Sequence, residues 1–162
     1  MEKKFELTDK FVFNTFGIKL FQIKCTKSFK YAKEGDLGGY VEKDENLDQE
    51  SDAWVYGDAR VSGDAQVSGD ARVYGDAQVF GDADIENDNN HCGFDCFGSC
   101  NRHTHAYLTK DNKVEITCGC FRGSIEEFEK KVEKTHSGTI YEKQYKAIIN
   151  VIKIKFGLTD LI

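Results

Sequence analysis

The stretch from Trp54 to Ile85 repeats every six residues without a slip. Val55, Val61, Val67, Val73, Val79 and Ile85 hold one register, and Ala53, Ala59, Ala65, Ala71, Ala77 and Ala83 hold another, two residues earlier. A Gly-Asp pair precedes each alanine from Ala59 on, which places Asp58, Asp64, Asp70, Asp76 and Asp82 at equal intervals. A helix of 3.6 residues per turn would scatter the valines around its axis and lose about 1 kcal/mol at each glycine. A flat strand has period two. Period six is the signature of a β-solenoid, in which each hexad contributes one short strand and one corner. The large apolar residue and the alanine point inward, and Gly-Asp turns the corner. Three hexads per coil stack residue i on residue i+18, so the expected form is a short left-handed parallel β-helix.

The register runs backwards to Leu47 and Val41, but eight residues separate Leu47 from Val55. Two extra residues therefore belong at Gln49–Asp52, bulging from a corner. The apolar alternation Phe5, Leu7, Phe11, Phe13 and then Ile18 to Cys25, with Asn14–Gly17 between, predicts an N-terminal β-hairpin. A solenoid's terminal coil exposes apolar interior and strand edges, and such a hairpin would cap it. The expected organisation is mainly β: residues 1–34 a cap, 35–86 the hexapeptide solenoid, and 87–162 a small α+β module.

In that last part, Glu86–Asn90 reads as a linker. Tyr107–Thr109 and Val114–Cys118 flank a turn centred on Asp111 and Asn112, which predicts a hairpin pairing His105 with Cys118 and His103 with Cys120. Ser124 with Glu127 forms a capping box for a helix to about Thr135. A second helix follows from about Ile140 to Phe156, burying Tyr141, Tyr145, Ile148, Ile149 and Ile152. The module is thus expected to be a β-hairpin with two helices.

All four histidines and five of the six cysteines lie beyond residue 90. Structural zinc takes four tetrahedral N or S ligands. His103, His105, Cys118 and Cys120 would supply them from one hairpin face. Cys92, Cys96 and Cys100 with His103 form the alternative set. The competing reading makes Cys118 and Cys120 small core residues. No apolar run long enough to span a membrane and no leader pattern is evident, so a cytoplasmic protein with reduced cysteines is expected.

Charge is partitioned. Residues 34–90 carry sixteen acids against three basic residues, a balance of −13, whereas residues 1–33 carry +5 and residues 91–162 carry +2. An acidic rod repels nucleic acid and attracts basic partners. The N-terminal lysines read as guards against edge-to-edge strand pairing, with nucleic-acid contact as the alternative. Asp58, Asp64, Asp70, Asp76 and Asp82 satisfy turn amides, and together they are the candidate surface for a basic partner. Catalytic signatures are missing: there is no histidine in the rod, no Gly-x-Ser-x-Gly elbow and no phosphate-binding glycine loop.

Gly35-Asp-Leu-Gly-Gly-Tyr-Val41 through Leu47, the hexads from Trp54, and the tail Cys118-Gly-Cys-Phe-Arg-Gly-Ser-Ile-Glu-Glu-Phe128 with His136 resemble a largely uncharacterised family of hexapeptide-repeat proteins of phages and prophages. The resemblance covers nearly the whole chain, and the cysteine-rich insert at residues 91–100 departs from it. It implies a left-handed β-helix from a mobile element and no particular reaction. The resulting expectation is a non-enzymatic accessory protein that binds a host protein with a basic groove. The target would be a nucleic-acid-acting defence enzyme, which it would inhibit as anti-CRISPR proteins do. The alternatives are an acyltransferase-like hexapeptide-repeat enzyme and a structural phage component.

Overall fold

The computed structural model describes residues 2–159. Strands β1 (Phe5–Phe13) and β2 (Lys19–Cys25) form an antiparallel hairpin. Its turn is closed by Asn14, whose Oδ1 accepts from the amides of Phe16 at 2.9 Å and Ile18 at 3.0 Å. β2 pairs antiparallel with β3 (Leu37–Val41), so the hairpin extends one sheet of the repeat.

The repeat itself is built of two-residue strands: β4 (Trp54–Val55), β5 (Arg60–Val61), β6 (Gln66–Val67), β7 (Arg72–Val73), β8 (Gln78–Val79) and β9 (Asp84–Ile85). β4 pairs with β7, β5 with β8 and β6 with β9, all parallel and all eighteen residues apart, as Val55 on Val73 and Val67 on Ile85 illustrate. Three hexads therefore make each coil. In the first coil the offset is twenty, with Val41 on Val61 and Leu47 on Val67, so the two extra residues lie where the register break puts them. Lys4 holds this insertion down: its ammonium donates to the carbonyls of Ser51 and Ala53, both at 2.7 Å.

Every inward valine and alanine of the hexads is fully buried. This stack, with Phe5, Ile23, Trp54 and Tyr107, is one of two apolar cores. Trp54 receives Phe29 and Phe5 edge-on, at ring separations of 5.3 and 6.4 Å.

The C-terminal module is larger in β structure than a hairpin. β10 (His91–Phe97), β11 (Arg102–Leu108), β12 (Val114–Cys118) and β13 (Phe121–Ser124) form an antiparallel sheet in that order. Helices α1 (Ile125–His136) and α2 (Ile140–Lys155) pack on it. The stretch expected to link the two parts holds a single 3-10 turn, Asp88–Asn90, capped by Asn87. Tyr141 is half-buried, not buried as its helical position suggests.

The β11–β12 register differs by one residue from expectation. Thr104, not His105, faces Cys118, and His105 faces Thr117. The connection has three residues, because Thr109 N bonds Lys113 O at 2.8 Å and Asn112 takes a left-handed φ of 58°. A one-residue slip moves every side chain to the other face. Ala106, Ile116 and Cys118 accordingly join Phe128, Tyr145 and Ile149 in the second core. His105, Tyr107 and Thr117 face the solenoid instead. There the Tyr107 hydroxyl reaches the Phe80 carbonyl at 3.2 Å, and the Thr117 hydroxyl reaches the Gln78 carbonyl at 2.8 Å. The sheet thus lies across the solenoid's last coil. No helix among the described residues is long and apolar enough to cross a membrane.

Candidate functional site

Asp58, Asp64, Asp70, Asp76 and Asp82 are all exposed at solenoid corners. Each follows a glycine with positive φ, between 56° and 68°, which turns the chain and frees the carboxylate to point outward. Because coils repeat every eighteen residues, Asp58 lies over Asp76 on one corner and Asp64 over Asp82 on a second. Asp70 stands on the third. The charge therefore girdles the rod as short vertical pairs and does not form one five-residue ladder. Stacked strands are about 4.8 Å apart, so each pair concentrates two negative charges. The second corner is partly neutralised: Lys43 pairs with Asp64 at 3.3 Å, and the Lys110 ammonium donates to the Asp64 carbonyl at 3.0 Å. The first has no ion pair among the described residues.

The residues expected to bind zinc fall into two groups on opposite faces of the module's sheet. His103 and His105 belong to a chain of imidazoles on the solenoid side. His91 Nδ1 lies 2.9 Å from His105 Nε2, and His105 Nδ1 lies 2.9 Å from His103 Nε2. Carboxylates stand at both ends, Asp95 at 2.5 Å from His103 Nδ1 and Asp88 at 3.6 Å from His91 Nε2. Gly93 makes the chain possible, since a Cβ there would stand 2.6 Å from the His103 ring and 2.9 Å from His105 Nδ1.

A one-way chain satisfies every close contact with three neutral rings: His91 Nδ1 donates to His105 Nε2, His105 Nδ1 donates to His103 Nε2, and His103 Nδ1 donates to Asp95. Burial favours the neutral form of His105, holding its pKa well below the usual histidine value, with His91 and His103 adding to the effect. Burial lowers His91 as well, against the pull of Asp88. The two ring nitrogens of His105 diverge, so the three imidazoles do not converge on one ion.

Cys118 lies on the opposite face, where its sulfur receives the Thr104 hydroxyl at 3.3 Å and sits 3.7 Å from the Tyr145 hydroxyl. Cys120 is exposed in the β12–β13 turn. With Cys100, His136 and Tyr145 these two thiols line a cavity of about 210 Å³. Cys92 is half-buried against the helices, and Cys96 is exposed with a φ of 67°. Neither expected ligand set is gathered: among the described residues no three His, Cys, Asp or Glu side chains are placed to hold one ion. Sequence reasoning missed Asp88, His91 and Asp95 as partners of the histidines. The pairing of Gly93 with His105 across β10 and β11 brings them together, and β10 carried no clear strand pattern.

A family model described as YdcK Beta solenoid repeat matches residues 65–81, within the hexads. A comparison with curated proteins gives no match. What this chain shares with that family is a stretch of β-solenoid repeat.

Proposed function

We propose that this is a non-enzymatic phage or prophage accessory protein whose acidic solenoid occupies a basic groove on a host nucleic-acid-acting enzyme. The observation that supports this reading is the outward display of paired aspartates on a rigid, fully packed rod, within a segment whose balance is −13. Fixed charge on a stiff scaffold steers association and opposes wrong partners. The Asp58–Asp76 corner, free of internal cations, is the favoured contact. The rod carries no histidine that could serve acyl transfer. The same reading takes the coil as left-handed, the N-terminal hairpin as its cap, and the cytoplasm of an infected bacterium as the place of action. A structural zinc in the C-terminal module belongs to it only if the cysteines and histidines regroup around the ion, since among the described residues no three of them are placed to hold one. Elemental analysis of protein purified without a metal-affinity tag would read one zinc per chain if they hold it.

The test is a pull-down from nuclease-treated host lysate at low and raised salt. Retention of a nucleic-acid-handling enzyme that is released by salt, and lost in the Asp58→Asn, Asp76→Asn double variant, is the expected outcome. Retention unchanged in that variant removes the charge mechanism. Recovery of virion proteins alone turns the assignment to a structural phage component.

A further inference from the structure

The N-terminal hairpin carries an aromatic surface that stays open to solvent. Phe11, Phe13 and Phe16 are 46%, 58% and 50% exposed. Phe16 meets Phe80 edge to face, at a ring separation of 5.1 Å, and half of its surface stays free. Phe11 pairs across the hairpin with Phe21, and Phe13 with Lys19, so these four side chains share one face. The Phe11 and Phe13 rings meet edge to face at 5.7 Å. The Lys19 ammonium lies 4.1 Å from the Phe11 ring centre and 5.2 Å from that of Phe21. Lys10 and Lys19 are exposed and enter no ion pair among the described residues, in a segment whose balance is +5.

Edge-strand pairing with another protein is poorly served here. β1 is the outer strand of its sheet, but its pairing jumps from Leu7–Ile23 to Phe11–Phe21, leaving three residues opposite one. A bulge of that kind, with Asp9 and Lys10 in it, interrupts the row of amides and carbonyls that an added strand needs. Phenyl rings interleaved with unpaired lysines match a different chemistry. Bases stack on aromatic faces, and lysines neutralise the phosphates between them. We propose that the β1–β2 hairpin is a binding platform for single-stranded nucleic acid, with Phe11, Phe13 and Phe16 as stacking surfaces and Lys10 and Lys19 as phosphate contacts. The acidic rod confines the strand to the hairpin, so the site is short and its affinity is strongly dependent on salt. The platform is independent of the partner assigned to the rod.

The experiment is fluorescence polarisation of a short labelled oligo(dT) with the full chain, titrated at several salt concentrations. Binding at low salt is expected, weakened about tenfold for each ring removed in Phe11→Ala and Phe13→Ala. Lys10→Ala and Lys19→Ala should each reduce the slope of log affinity against log salt by about 0.7. The phenyl rings are on the surface, so circular dichroism and the melting temperature of these variants should match the parent. Absence of binding at low salt overturns the proposal, as does equal binding by the parent and the two phenylalanine variants. Sedimentation with anionic lipid vesicles, carried out in parallel, separates the remaining case: capture by vesicles without binding of the oligonucleotide would assign the surface to a membrane and overturn it too.

Discussion

His105 is the residue whose chemistry depends most on its surroundings. It is buried between two other imidazoles, and burial resists the charge that protonation would bring. His105 and His91 are therefore depressed below the value near 6.5 that they recover in the unfolded chain. Between the depressed and the ordinary value the unfolded chain binds more protons, so stability is complete above about pH 6.5 and falls as the pH drops below it. His105 alone should contribute a loss of about 1 kcal/mol for each pH unit. Asp88 and Asp48, held below the normal carboxylate range, lose their contribution only at lower pH. Urea unfolding followed from about pH 7.5 to 5.5 should show this slope, and His105→Gln should flatten it. A flat profile for the parent would mean that the rings titrate normally. The histidines could be seen in the sequence as a cluster, but not as a chain, because their partners come from β10 and the turn before it, across a strand pairing that has no local signal.

At the scale of the element, the hexad shows how far repetition carries information. The inward valine and alanine, the glycine corner and the spacing of eighteen follow from one short motif, and so does the two-residue insertion at the break in register. The corners are not equivalent, however. A methyl group on Gly57 would meet nothing within 4 Å, whereas one on Gly69 would run into the Glu86 carbonyl oxygen. Both glycines have positive φ, 56° and 63°. Gly57→Ala should cost about 1 kcal/mol, for backbone strain alone. Gly69→Ala should cost about 3 kcal/mol, because the last corner must also move away from Glu86. Thermal unfolding of the two variants checks the difference, and equal melting temperatures would refute it. The β11–β12 turn is the contrary case. Asp111 and Asn112 fit a two-residue turn, yet Asn112 takes the left-handed conformation in a three-residue connection. Asparagine serves either geometry, so the residue types alone left the register open by one.

For the whole molecule, the decisive contact is between the solenoid's last coil and the module's sheet. Tyr107 is fully buried in the solenoid core although it belongs to β11. The main-chain amide of Lys110 adds a bond to the Asp82 carbonyl at 2.9 Å. A chain ending at Asn90 would expose Val79, Ile85 and the edges of β8 and β9 together. It should aggregate or sediment as a polydisperse species, as solenoids without terminal caps do. Light scattering of that fragment beside the full chain is the check, and a monodisperse, cooperatively melting fragment would show that the sheet is not needed.

By itself the sequence determined the solenoid, its coil length, its inward residues, its insertion and its charge partition. Each of these is written in a local repeat that a short window contains, and burial of the same two residue types recurs at every coil. Tertiary structure alone decided which face of β11 meets the solenoid and that His103 and Cys118 part company. It also decided that one lysine from just after β3 and one from the β11–β12 turn reach the Asp64 corner and leave the Asp58 corner bare. These depend on contacts between distant segments, where a shift of one residue exchanges the two faces of a strand and local composition is the same either way.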